Sequence, residues 1–337
     1  MGKNMDEQTK ANPPSRGWLW AILAILTIGA VGAYLYSTKF AADSSQNTGN
    51  LTSSSPMPTI SASETWQKES DLIMENVTST DTHVISDDLV RTYYLGQEGF
   101  VYAESTNGAQ TYSNPVFTGV TEDEGKFMSN PAVLEIASGK WIMIYEQQPR
   151  KEPGGSGQSP PGPKTQRDLY LATSTDGKKF TKVGLVLNSS KEDDYFASVP
   201  DLVLLPDKTI RMYYVSGGDA IGSAVSSDEG RTWKRDEGYR LQNGAVDPDI
   251  IFEDNLWKMY YSNINSNQNA IYLSTSSDGL SWQTGAKIVD RSGSTGSIVD
   301  PDVFFFGSQK MMLFGEFSSS DSTNSQETPQ LYKAIKQ

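Results

Sequence analysis

From about residue 81 onward the chain is built of short apolar or β-branched runs, each broken by Gly, Asn, Asp or Ser. The stretch from Asn243 to Asp290 shows the unit most clearly. Asp249–Glu253 is β-branched, Leu256–Ser262 is rich in aromatics, Ala270–Ser276 alternates apolar with small polar residues, and Trp282–Val289 closes the set. Between these runs lie Glu253-Asp254-Asn255, the Asn/Ser run Asn263–Asn269, and Asp278-Gly279. Strands bounded by such turn residues predict an antiparallel meander. One small sheet has little core of its own, so the pattern has to recur for the protein to fold.

It does recur. The second strands RTYY (Arg91–Tyr94), IMIY (Ile142–Tyr145), RMYY (Arg211–Tyr214), KMYY (Lys258–Tyr261) and MMLF (Met311–Phe314) align. Ahead of each lies a first-strand start: Ser79–Asp81, Asn130–Ala132, Val199–Asp201, Asp247–Asp249 and Asp300–Asp302. Four copies carry a turn after the third strand, at Ser105–Gly108, Ser174–Gly177, Ser226–Gly230 and Ser276–Gly279. Copies of four strands at a period of roughly 50 residues predict a radial array of blades. The fold expected for residues 64–337 is therefore an all-β, five-bladed β-propeller of four-stranded antiparallel blades. The fifth copy ends in its third strand, Leu331–Lys336, so closure needs a strand from the other terminus, and Met74–Thr80 is placed to supply it. Within Glu64–Val77, Trp66, Leu72, Ile73 and Met74 stand near helical spacing, which predicts a short helix or the lead-in to that closing strand.

The N-terminal part reads differently. Residues 1–16 are polar and predict a cytoplasmic tail. Residues 17–36 are uncharged, long enough at about 1.5 Å per residue to cross a ~30 Å hydrocarbon core, and flanked by Trp18, Trp20, Tyr34 and Tyr36 as interfacial aromatics. Lys3, Lys10 and Arg16 precede the run, which puts the N-terminus inside and the propeller outside the cell membrane as a single-pass signal anchor. A cleaved signal peptide, cut among the small residues Gly29–Ala33, is the alternative. Residues 37–63 are rich in Ser, Thr, Asn and Pro and predict a disordered stalk. The Pro/Gly-rich insertion Pro149–Arg167, between the second and third strands of blade 2, predicts a mobile loop.

Charge and composition narrow the chemistry. The 337 residues carry 28 Lys and Arg against 41 Asp and Glu, a net charge of −13. That balance opposes nucleic acid as a partner, and no basic stripe offsets it. With no cysteine and a single histidine, His83, thiolate chemistry and multi-histidine metal ligation are excluded, so carboxylates must carry any acid–base work. In a propeller the first strand lines the central channel, so first-strand starts and second-to-third loops share one face. Asp81, Asp201, Asp247, Asp249, Asp300 and Asp302 thus converge on one mouth, joined by Glu146 and Glu316 at the ends of second strands. Clustered, buried carboxylates drive their pKa values apart, and glycoside hydrolysis requires one protonated and one ionised carboxyl. Two other uses compete: Asp residues that fix strand starts by accepting backbone N–H bonds, and a channel cation such as calcium on oxygen ligands. No other cofactor is called for. Tyr195 and Phe196, before the third inner strand, are placed either to stack on a sugar or to pack the loop.

The segment Ser226–Trp233 (SSDEGRTW) resembles the Asp-box, or BNR repeat, of sialidases, and Ser174–Phe180 and Ser276–Trp282 are shorter variants. The order D-P-D, MYY, S-x-D-G-x-x-W is similar to that of five-bladed propeller glycosidases, the class containing glycoside hydrolase families 43 and 32. The resemblance covers about Asp81–Gln337. It implies hydrolysis of a glycan by an Asp of the first blade, a second inner-strand Asp and a Glu acid. Asp81 (base or nucleophile) and Asp201 (orienting and tuning) match those positions, and Glu146 is the nearest acid candidate, with Glu316 behind it. Asp247, Asp249, Asp300, Asp302, Glu316 and Tyr195 are then candidate substrate contacts. In blade 2 the corresponding place is held by Ala132. There is no first-strand R-I-P motif and no arginine triad, which opposes sialate specificity; Arg91 and Arg211 are expected to pack or pair. A non-catalytic carbohydrate- or protein-binding propeller is the alternative function.

Overall fold

The structure, a computed structural model, describes residues 64–150, 166–265, 269–291, 296–317 and 328–337. The tail, the apolar run 17–36, the stalk and the interior of the Pro/Gly-rich insertion lie outside the described residues. The described part is all-β and forms five antiparallel sheets. Blade 1 comprises Asp81–Ser86, Leu89–Leu95, Phe100–Ser105 and Val116–Phe117, and blade 2 comprises Lys126–Ala137, Lys140–Pro149, Asp168–Ser174 and Phe180–Leu187. Blade 3 runs through Ala197–Leu204, Ile210–Ser216, Ala220–Ser226 and Lys234–Arg235. Blade 4 has Ala245–Glu253, Leu256–Asn263, Ala270–Ser276 and Ala286–Asp290. The inner strands touch in order around the molecule, and that of blade 5, Ser297–Phe306, returns to that of blade 1. The sheets therefore close into a five-bladed propeller.

Blade 5 is completed from both ends of the chain. Behind Ser297–Phe306 lie Gln309–Phe317 and Gln330–Lys336, and the outer edge is supplied by Trp66–Lys68 and Met74–Glu75. The closing strap thus begins earlier than Met74, and the helix expected within Glu64–Val77 is replaced by strand. The free edge of Gln330–Lys336 offers unpaired N–H and C=O groups, and these outweigh the local helical spacing. The fourth strand of blade 4 also starts later than Trp282. Trp282 instead turns inward, its Nε1–H donating to Gly279 O at 3.2 Å and its ring meeting Tyr213 edge-on at 5.8 Å.

The core lies between blades. Five apolar clusters fill the five seams, one for each pair of neighbouring sheets. The second-strand tyrosines are central to them: Tyr93, Tyr145, Tyr213 and Tyr260 are fully buried. Burying an aromatic of this size contributes about 1.5–3 kcal/mol. Two of the hydroxyls reach across a seam, Tyr93 to Gly177 O (2.5 Å) and Tyr213 to Gly279 O (2.7 Å). Those carbonyls belong to the Ser-x-Asp turns on the far face, where Asp176 accepts the N–H groups of Lys178 and Lys179, and Asp278 those of Leu280 and Ser281. Arg91 bonds Glu104 and Gly177 O, and Arg211 lies 3.4 Å from Asp236, so both arginines pair as expected.

Candidate active site

Each inner strand enters the channel through the same irregularity. Ser79, Asn130, Val199, Asp247 and Asp300 all have positive φ, between 43° and 54°. Each but Ser79 is followed by proline, and the register with the second strand slips at the same point in blades 2 to 5. A bulge is where a strand tolerates proline, since no ladder hydrogen bond is lost there. Left-handed backbone at a β-branched residue such as Val199 is strained and is imposed by its surroundings. The bulges stack the channel-lining residues in two tiers. Ser79, Asn130, Val199, Asp247 and Asp300 form the upper tier at the mouth; Asp81, Ala132, Asp201, Asp249 and Asp302 form the tier below.

The lower tier ties the ring together. The Asp81 carboxylate accepts the Val133 N–H of blade 2, Asp201 that of Ile250 in blade 4 (2.9 Å), and Asp249 that of Val303 in blade 5 (3.2 Å). Asp302 accepts Thr82 N–H of blade 1 at 3.1 Å, together with the hydroxyls of Thr80 and Thr82 at 2.7 Å. Burial pushes the carboxyls of Asp201 and Asp249 well above the usual range, and the charge of neighbouring Asp residues adds to it. Asp302 is lifted to about 6 by burial and by Asp81. The lone histidine sits here too. His83 Nε2–H donates to Val133 O at 2.7 Å and lies 3.6 Å from Asp81. Burial works against the imidazolium, but Asp81 outweighs it and raises the His83 pKa.

The upper tier is organised differently. Asp247 and Asp300 stand in adjacent blades, with the Asp300 N–H 3.4 Å from Asp247 Oδ2. Burial, then the charge of Asp300, lifts the Asp247 carboxyl to about 8. Asp300 is raised by burial but pulled back by donors from Thr78 and Ser79. These are two neighbouring carboxyls in unlike hydrogen-bonding surroundings, the arrangement that acid–base chemistry exploits.

A depression of about 380 Å³, including the part open to solvent, lies at the mouth. Asp81, Asp201, Asp247, Asp249 and Asp300 line it, with Ser79, Asn130 and the bulge prolines. The other candidates stand behind it. Glu146 is fully buried, pairs with Arg167 at 3.2 Å and accepts from Asn130 Nδ2 (2.9 Å) and Ser198 Oγ. Glu316 is ion-paired with Lys68 of the strap. Phe196 lies under the Arg167 guanidinium, 4.2 Å from ring centre to Cζ, and so packs the loop, while the backbone O of Tyr195 accepts the Arg167 N–H. Among the described residues no three Asp, Glu or His side chains converge as metal ligands. Sequence reasoning missed Thr78, Ser79 and Arg167. Aligning Ser79 with Asp247 and Asp300 would have flagged the first two, while Arg167 lies in the insertion and carries no repeat signal.

Neither a scan against protein-family models nor a search of curated proteins gives a match. Solved structures do. The chain is similar to Zg3597, a family 117 glycoside hydrolase of the marine bacterium Zobellia galactanivorans, with 11% identity and a TM-score of 0.57 over 81% of this chain and 90% of that one. It is similar to a variant of the GH43 protein BlXynB from Bacillus licheniformis, with 8% identity and a TM-score of 0.61 over 79% of this chain and 54% of the other. An exo-1,5-alpha-L-arabinanase from a bovine ruminal metagenomic library matches at 14% identity and a TM-score of 0.55, over 78% and 97% of the two chains. At these identities the likeness is one of fold.

Proposed function

We propose that this chain is a glycoside hydrolase whose acid–base pair is Asp247 and Asp300. The observation that carries the reading is the unlike environment of two adjacent carboxyls at the mouth of a propeller pocket. Asp247, protonated at neutral pH, gives its proton to the glycosidic oxygen as that oxygen's bond to the anomeric carbon breaks. Ionised Asp300 supplies an electron pair, either to a proton of the attacking water or directly to the anomeric carbon. Asp81 and Asp201, read from sequence as base and tuning residue, serve in this scheme beneath the pair, fixing the blades. Glu146, bound to Arg167, orients Asn130 at the rim. The Ser-x-Asp turns, read as Asp-boxes, are structural. Residues 17–36 anchor the propeller to the outer side of a membrane.

Intact cells expressing the full chain should hydrolyse a polysaccharide too large to enter them, and external protease should abolish that activity. Asp247→Asn and Asp300→Asn should each lose about 10²–10⁴-fold while staying folded, the usual loss when positioned acid–base catalysis is removed. The Asp247 variant should recover on nitrophenyl glycosides, whose leaving groups need little protonation. Full activity in both variants would refute the pair. A second reading rests on Glu146 and Glu316, the two candidate acid glutamates, both being held in ion pairs. It is a carbohydrate- or protein-binding propeller without turnover, and it wins if the chain retains a glycan uncleaved and the same substitutions weaken only binding.

A further inference from the structure

Asp300 is held from outside its own blade. Thr78 and Ser79 join the closing strap to the inner strand of blade 1, and their donors converge on one oxygen of Asp300. Thr78 Oγ1, Ser79 Oγ (2.8 Å) and Ser79 N–H (3.1 Å) all donate to Oδ2. Oδ1 has no hydrogen-bond partner among the described residues. Asp247 has a poorer set, with the Asp300 N–H at 3.4 Å. Two features show that the clasp is built into the fold. Ser79 has φ 52°, in the left-handed region that non-glycine residues enter only under constraint. Across from Thr78, blade 5 carries Gly315 in mid-strand, and a Cβ there would lie 2.5 Å from Thr78 Oγ1 and 3.2 Å from Thr78 Cβ. The sheet leaves that space open where Thr78 sits.

We propose that Thr78 and Ser79 are positioning residues of the mouth: by binding one oxygen of Asp300 they make Asp300 the ionised member of the pair and Asp247 the protonated one. Hydrogen bonds to a carboxylate favour its charged form, and a fixed negative charge beside a second carboxyl keeps that one neutral. The strap therefore does more than close the ring, since its last residues sort the two carboxyls into roles. Those roles rest on the glycosidase reading; the sorting itself does not need it.

The decisive experiment follows the carboxyl carbons of ¹³C-labelled Asp residues by NMR across pH in the full chain, with Asp247→Asn and Asp300→Asn as assignments. In wild type the pair should titrate in two separate steps, the lower belonging to Asp300. In Thr78→Val and in Ser79→Ala the Asp300 step should move up by about half to one pH unit, narrowing the gap to the Asp247 step, which is passed with Asp300 already ionised and should stay in place. Thr78→Ser, which keeps the hydroxyl, should behave as wild type, and Gly315→Ala should reproduce Thr78→Val by displacing it. Wherever a glycan is turned over, the acid limb of kcat/KM should shift upward with the Asp300 step. A shifted step with no turnover on any glycan leaves the clasp standing and removes the glycosidase reading. An Asp300 step that stays in place in folded Thr78→Val and Gly315→Ala overturns the clasp, whether or not the protein is an enzyme.

Discussion

Asp247 and Asp302 hold protons in the folded state that the unfolded chain would release. Their carboxyls are lifted to about 8 and about 6, in each case by burial first and then by a neighbouring Asp. A carboxyl raised on folding contributes stability that is complete below its unfolded pKa of about 3.9. That contribution is lost as pH rises through the folded value. His83, also raised, adds to the same slope through its own folded value. Glu64 and Glu253 act oppositely: burial alone would raise them, but Lys310 and Lys258 hold both low. Their contribution is present above the ordinary Glu pKa and fades as pH falls below it. The melting temperature should therefore peak in mild acid and decline between about pH 5 and pH 8. Asp247→Asn, which has no proton to lose, should flatten that decline and raise the melting temperature at the alkaline end. Thermal unfolding followed by circular dichroism across pH checks both; an unchanged slope in the variant would show that Asp247 does not titrate as its surroundings require.

At the scale of the element, the closing strap is held by buried charge as well as by pairing. Glu64, only 6% exposed, accepts from Lys258 (3.1 Å), Lys310 (2.9 Å), Tyr260 OH (2.8 Å) and Trp66 Nε1 (3.1 Å). Farther along, Lys68 pairs with Glu316, and Glu69 lies 3.2 Å from the buried Lys333. Removing one partner of a buried ion pair strands the other, at a cost of about 3–5 kcal/mol. Glu64→Ala leaves Lys258 and Lys310 paired with Glu253, so it should cost less than that full amount in denaturant unfolding, about 1–3 kcal/mol for the lost hydrogen bonds to charged groups. Glu229→Ala, which breaks the exposed pair with Lys140, should cost no more than about 1 kcal/mol. Equal losses would mean that Glu64 is not the latch. The strap also marks how far local sequence carries. Met74–Glu75 was legible as closing strand because the fifth repeat lacks its outer edge. Trp66–Lys68 was not, since its spacing with Leu72 and Ile73 suits a helix and its partner, Gln330–Lys336, lies at the other end of the chain.

Across the whole molecule, the repeat was legible because every blade must reproduce the same turn chemistry and the same buried tyrosine or its substitute. It placed the Asp residues at one mouth. It could not show which carboxylate oxygen turns to the next blade's backbone, because that depends on the angle between sheets, which no local pattern encodes. That angle gives the ring an asymmetry. Four seams carry an Asp staple, Asp81 to Val133, Asp201 to Ile250, Asp249 to Val303 and Asp302 to Thr82. The seam from blade 2 to blade 3 has Ala132 in that place and no such staple. It is joined instead by side chains, Ser198 meeting Glu146, Arg167 (3.3 Å) and Asn130 (3.5 Å) and Lys140 meeting Glu229, and by a bridge nearer the surface, where Arg167 N–H donates to Tyr195 O and Ala197 N–H to Arg167 O, each at 3.1 Å. The apolar cluster of this seam is as extensive as its neighbours, so the difference lies in the polar ties. A carboxylate that binds the next blade's backbone holds the inner strand directly, whereas side-chain ties at the rim do not, so in local opening this seam should open before the others. In native-state hydrogen exchange of the full chain, the Arg167 and Ala197 amides should open at lower free energy than the stapled amides of Ile250 and Val303. Ala132→Asp, which restores an acceptor at the fifth position, should narrow the gap, at the cost of one more carboxyl in an already crowded tier. Equal protection at all five seams in wild type would show that the Asp staples do not set the order in which the ring opens.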